Sequence, residues 1–186
     1  MDIGTAKPTL QQRQAVPHHL IDCVDVDETF SVADYQRLAD TAIAEIQRRG
    51  MQVLVVGGAG LYFRALIDGL FEGPGADAAI RARLRREAEE HGPAALHERL
   101  RRCDPESATR IHPNNLVRVI RALEVYELTG ESFSTLQQQW QDAESRYPFR
   151  AFGLNLPREM LYHRIERRVD GMITAGLIEE VKKLVD

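Results

Sequence analysis

The run Val55-Val56-Gly57-Gly58-Ala59-Gly60-Leu61-Tyr62 places three glycines between a β-branched stretch and an apolar segment at helical spacing. Glycines let backbone N–H groups approach an anion, and a helix N-terminus adds partial positive charge. The same string also fits a tight turn with close strand–helix packing. No Gly-Lys-Ser/Thr follows it, so it is not a Walker A loop. Upstream, Asp2-Ile3-Gly4-Thr5-Ala6-Lys7-Pro8 offers a lysine and a threonine with reach to a phosphate, or an exposed loop. His18-His19 invites a metal or acid–base reading. Adjacent side chains on an extended segment point apart, however, and no Cys/His/Glu cluster at ligand spacing accompanies them. Structural histidines are favoured, and no metal ligand is assigned. Asp22, Asp25, Asp27 and Glu28 read as a solvated acidic turn.

Arginines form the second group. Arg81, Arg83, Arg85 and Arg86 crowd one helical stretch, and Arg99, Arg101 and Arg102 another. Arg118 and Arg121 lie three apart beside the apolar stripe Leu116, Val119, Ile120 and Leu123, so they share a helix face. Such faces suit phosphate backbones, and they also serve as plain solvated surface. Arg164 and Arg168, four apart, project together from a later helix whose apolar side is Leu161, Ile165, Val169 and Met172. Surface pairing with Glu159, Glu166 or Asp170 is the alternative.

The elements that must position these residues follow from pattern. Residues 1–30 read as irregular, then extended near His19. Ser31 and Asp34 make a capping box for a helix over 32–49, which Gly50 ends. Gln52–Val56 is short and β-branched, as in a buried strand, and a helix over 61–69 follows the glycine turn. Composition shifts at Glu72-Gly73-Pro74-Gly75. From Asp77 to Gly130 only helices are predicted: 77–90, 94–102, a short one after Asp104-Pro105, and a long one capped by Asn114. A further short helix contains Leu136 to Trp140. Strand character returns at Phe149–Leu154, and Pro157 opens a helix through Ala175 that Gly176 separates from a last one. The expectation is an α/β core over residues 1–73 and 148–186, interrupted by a helical insertion over 74–147.

The 186 residues include 24 Lys+Arg and 28 Asp+Glu, a net charge of −4, with 44% hydrophobic residues. This balance excludes intrinsic disorder. The positive bias is confined to the middle third, the arginine-rich stretch. Glycines 57, 58 and 60 break the longest apolar tract, well short of a membrane span. The start lacks the basic and apolar regions of a secretory signal. Cys23 and Cys103 read as reduced thiols, which points to the cytoplasm. Oligomeric state is not legible.

Taken together and in order, these strings resemble the tRNA dimethylallyltransferase (tRNA isopentenyltransferase) family. The matching stretches are Met1–Pro8, Pro17–Asp22, Ser31–Tyr35, and Gly57-Gly58 through Leu61-Tyr62. They continue with Arg110–Asn114, then Arg118 and Arg121–Glu124, and finally Leu161–Ile165 through Val181. The resemblance implies a P-loop-kinase-like α/β core with a helical insertion that grips the tRNA anticodon arm. The implied reaction moves a five-carbon group from dimethylallyl diphosphate to the N6 amine of the adenosine beside the anticodon. Departure of diphosphate from an allylic carbon calls for backbone amides, Lys or Arg, and Mg²⁺. A weakly basic adenine amine calls for a carboxylate to take its proton. Unstacking the base costs a few kcal/mol. Burying the five-carbon tail returns roughly 4 kcal/mol at about 0.8 per carbon.

By that resemblance, Gly57, Gly58 and Gly60 lie near the diphosphate with Lys7, Arg164 and Arg168 as charge partners, while Arg81, Arg118 and Arg121 face tRNA. The family's P-loop and its catalytic aspartate lie upstream of the segment matching Met1, and its domain continues beyond Asp186. No residue here is therefore assigned as catalytic, and the 186 residues alone are expected not to turn over. Ala59 and Val117 stand where the family usually has threonine and glutamine. The rival readings are a non-catalytic RNA-binding or interaction module, and prenyl transfer to free adenine nucleotides. The long helical insertion disfavours the latter, since a nucleotide needs no such arm.

Overall fold

A computed structural model describes residues 1–70, 73–138 and 145–185. The chain divides into two compact units, Met1–Leu66 with Tyr147–Asp186, and Ile67–Arg146. Among the described residues the regular elements are helices, and no strand forms.

In the first unit, α1 (Leu10–Ala15) and α2 (Val32–Arg48) both begin with a reciprocal capping box. Thr9 Oγ1 accepts the Gln12 N–H at 3.2 Å while Gln12 Oε1 accepts the Thr9 N–H at 2.8 Å. Ser31 and Asp34 exchange the same pair of bonds for α2. Each box satisfies two backbone donors that a helix start leaves open. Helix α2 buries Ala39 and Ile43 against Leu66 of α3 (Gly60–Ile67), with Leu20, Tyr35, Val53 and Tyr147 around them. The Tyr147 hydroxyl donates to Asp40 at 2.7 Å. Tyr35 and Tyr62 stack with centroids 4.3 Å apart, fixing the start of α3 against α2.

Two expectations change here. Gln52–Val56 and Phe149–Leu154 form no strand, and apart from Val53, which packs on the α2–α3 core, their side chains stand open: Val56 is 84% exposed and Leu154 101%. A β-branched run becomes a strand only when a neighbour completes its ladder, and no described segment does so. Likewise α9 (Arg158–Thr174) and α10 (Leu177–Val185) contain no buried residue. The α9 face expected to be core, Leu161, Ile165 and Val169, is instead exposed.

The second unit is helical: α4 (Ala78–His91), α5 (Pro93–Cys103), α6 (Pro105–Arg110), α7 (Leu116–Thr129) and α8 (Phe133–Gln138). Asp77 caps α4 by accepting the Ile80 N–H at 2.8 Å. Gly92, at φ +83°, breaks α4 from α5, and Pro93 opens the next helix with its φ already set. Asn115, one residue beyond Asn114, caps α7. Leu84, Leu96, Leu100, Val119 and Leu123 are at most 1% exposed and form the core. Burial contributes about 2 kcal/mol for each such side chain. The buried Asp104 accepts the N–H groups of Ser107 at 3.0 Å and Ser134 at 2.9 Å, so it closes the starts of both α6 and α8. Burial alone would push its carboxyl up; the hydrogen bonds from Ser107 and Ser134 outweigh that and hold it below the usual carboxylate range. Trp140, expected in the short helix, lies outside the described residues.

Candidate functional site

In the first unit the loop that carries Lys7 is held from two sides. The Lys7 ammonium bridges the carboxylates of Asp2 and Asp22, and Arg13 reaches the second of these at 3.1 Å. Hydrogen bonds to Asp2 and Asp22 raise the Lys7 pKa, so the charge persists across neutral pH. Glu180, on α10, accepts the backbone N–H groups of Asp2, Ile3 and Gly4, the last two at 3.0 and 2.9 Å. The N–H of Gly4, then those of Asp2 and Ile3, lower its carboxyl to about 2. Gly4 is placed tightly: a Cβ there would meet Leu177 Cδ1 at 3.3 Å.

This loop and α9 line one open groove. Lys7, Arg13 and Arg168 line it together with the carboxylate of Asp2 and the apolar Ile3, Pro8, Leu10 and Met172. Lys7 and Arg168 are thus brought together. Arg164, one turn before Arg168, is exposed, and neither has an ion-pair partner among the described residues, so the alternative of surface pairing is not realised there. Gly57 and Gly58 lie in exposed coil and Gly60 begins α3; a Cβ at any of the three would meet nothing within 4 Å. Close strand–helix packing is therefore not what the described residues ask of these glycines. They do not line the groove of Lys7 and Arg168.

The second unit holds the arginines. Glu124 on α7 is 0% exposed. It accepts Arg81 Nε at 2.7 Å and Arg81 Nη2 at 2.9 Å, a side-on two-point clasp. Arg121 Nη1 donates to it at 2.6 Å and the Asp77 N–H at 2.7 Å. Arg121 also donates to the carbonyls of Pro74 at 2.8 Å and Gly75 at 3.3 Å. Burial would raise the Glu124 carboxyl; the hydrogen bonds from Arg81, Arg121 and Asp77 more than offset this and lower it. Arg81 and Arg121, expected to face tRNA, spend their first bonds internally, because a buried carboxylate left alone would be far costlier than an arginine drawn inward. Arg118 is exposed with no ion-pair partner among the described residues. Glu124 carries no sign of its role in the sequence beyond its spacing three after Arg121.

Metal donors do not converge. Among the described residues no group of three His, Cys, Asp or Glu side chains could hold an ion, and Asp2 and Asp22 are both engaged by Lys7. His18 Nδ1 lies 2.7 Å from the Val16 carbonyl, a local bond. No described helix is long and apolar enough to cross a membrane.

Comparison with known proteins decides the family. The family model described as IPP transferase matches residues 1–186. The chain belongs to the IPP transferase family. Among relatives of this IPP transferase chain, tRNA dimethylallyltransferase 1 of Pelobacter propionicus is 53% identical over 186 residues, all of this chain and 60% of that protein. The tRNA dimethylallyltransferase of Geobacter metallireducens is 49% identical with the same coverage. The chain thus spans about 60% of the length of these curated relatives. The full-length tRNA isopentenylpyrophosphate transferase of Bacillus halodurans superimposes with a TM-score of 0.61 at 47% identity, covering 100% of this chain and 57% of that one. A eukaryotic dimethylallyltransferase solved in snapshots of its action on tRNA gives a TM-score of 0.76 at 30% identity, with coverage of 98% and 45%.

Proposed function

We propose that this IPP transferase chain is part of a tRNA dimethylallyltransferase, and that it carries diphosphate-side and tRNA-side surfaces of that enzyme. The observation that carries the reading is the groove lined by Lys7 and Arg168 together with apolar residues, since a prenyl diphosphate is an anion on a hydrocarbon tail. The relatives are named for the same chemistry. In the reaction the allylic C–O bond breaks and diphosphate leaves as the adenosine N6 forms the new N–C bond, and the N6 proton passes to a carboxylate. Lys7, Arg168 and Arg164 would balance the leaving charge, while Gly57, Gly58 and Gly60, which lie outside this groove, would offer their open backbone to the diphosphate only in the whole enzyme. Arg118, with Arg81 and Arg121 behind it, would face the RNA phosphates.

The described side chains do not make a magnesium site. Mg²⁺, expected with a diphosphate leaving group, would supply neutralisation of the charge that develops as diphosphate departs. We propose further that Gln52–Val56 and Phe149–Leu154 are strands of a P-loop-kinase-like α/β sheet in the whole enzyme. Their exposure here and the likeness to the Bacillus halodurans structure support this.

Transfer of a labelled dimethylallyl group to unmodified tRNA, run with the whole enzyme and with the 186-residue chain, tests the reading. The whole enzyme should modify the anticodon-adjacent adenosine. The chain alone should bind RNA without turnover, because Asp2, the carboxylate lining the groove, is engaged by Lys7. Transfer to free AMP in preference to tRNA would replace this reading with the nucleotide one.

A further inference from the structure

We infer that Glu124 is a positioning residue for RNA: it holds Arg81 and Arg121 as one preorganised guanidinium pair whose outer N–H groups meet neighbouring phosphates. The inference rests on the tRNA-facing reading of this helical unit and says which buried group makes that surface work.

Three observations lead to it. First, Glu124 is fully buried, whereas the Arg81 and Arg121 side chains that grip it remain 34% and 27% exposed, so the anion is hidden and the cations surface. Second, the two arginines come from different helices, α4 and α7, and converge on one carboxylate: Arg81 Nε on Oε1, with Arg81 Nη2 and Arg121 Nη1 both on Oε2. Free arginines on separate helices would have to lose rotamer freedom on meeting RNA; these have already lost it in folding. Third, each keeps donors unspent. Arg81 uses Nε and Nη2, leaving Nη1, and Arg121 uses Nη1 and Nη2, leaving Nε. Two guanidinium groups anchored on one buried carboxylate, each partly exposed and each with a donor unspent, suit the negative charge and oxygen acceptors of a phosphodiester backbone. The exposed Arg118, one turn before Arg121 on α7, extends the same cationic surface.

The test exploits a sign. Glu124→Gln removes a negative charge beneath an RNA surface, so charge alone predicts tighter RNA binding and a steeper salt dependence. Positioning predicts the reverse: about tenfold weaker binding, and a slope of log K against log salt shallower by about one as a phosphate contact is lost. The probe is an unmodified tRNA anticodon stem-loop titrated by fluorescence anisotropy at several salt concentrations, with circular dichroism confirming that each variant is folded. Arg81→Lys supplies the second arm. It keeps the charge but loses the two-point clasp on Glu124, and should weaken binding about fivefold. If Glu124→Gln does not fold, Arg81→Lys decides. Unchanged or tighter binding by folded Glu124→Gln, or by Arg81→Lys, overturns the inference and leaves the RNA reading standing. A parent chain that binds no stem-loop at low salt overturns both.

Discussion

The Glu180 carboxylate on α10 accepts the Gly4 N–H at 2.9 Å, tying a helix near one end of the chain to a loop near the other. Its folded carboxyl titrates near 2, against an ordinary value of 4.5. A depressed carboxyl contributes stability that is complete above the unfolded value and lost as pH falls towards the folded one. The chain should therefore weaken between about pH 5 and pH 2. Thermal unfolding of Glu180→Gln should show a flatter acid limb across that window. An acid limb identical to the parent's would show that the tie contributes nothing.

Glycines 92 and 58 should separate a folding role from a ligand role. Gly92 adopts φ +83°, ψ 156°, a region essentially reserved for glycine. Gly92→Ala should destabilise the second unit by about 1–3 kcal/mol, measured by urea unfolding. At Gly58 an added Cβ meets nothing and the backbone is not left-handed. Gly58→Ala should leave unfolding within about 0.5 kcal/mol of the parent while raising the KM for dimethylallyl diphosphate in the whole enzyme.

Lys7 and Arg168 should act on the diphosphate and not on the RNA. Lys7→Met and Arg168→Met should each weaken dimethylallyl diphosphate binding about tenfold, as loss of one charge-assisted contact does. Affinity for the anticodon stem-loop should not move. Calorimetric titration of each ligand checks both halves.

Arg118→Ala should weaken stem-loop binding similarly across RNA sequences and reduce the salt slope by about one, the signature of a phosphate contact. A base-specific loss would instead place Arg118 against a base edge.

Local rules read much of this chain from its residues. Ser31 and Asp34, Asp77, the Gly92-Pro93 break and Gly130 all mark helix ends by interactions within a few residues, and the helices begin and end there. Helix α1 was legible and missed: Thr9 and Gln12 spell a capping box, but no apolar period follows to call attention to it. Non-local events were not legible. Gln52–Val56 has strand composition, yet pairing depends on a neighbour that composition does not name. Among site residues, Lys7 and Arg168 share a groove although 161 positions apart, and their residue types pointed to that chemistry. That Arg81 would cross to Glu124, or that Glu180 would capture residues 2–4, depends on tertiary placement that spacing along a chain cannot encode.

The single carboxylate of Asp104 meets the openings of α6 and α8 together, so the start of each leans on the other, although Ser132 Oγ also accepts the Thr135 N–H of α8 at 3.1 Å. Six residues are too few for either to persist unaided, so the two must melt and reform in concert. Amide hydrogens along both should trade with solvent at one shared rate, which makes this pair a single cooperative patch.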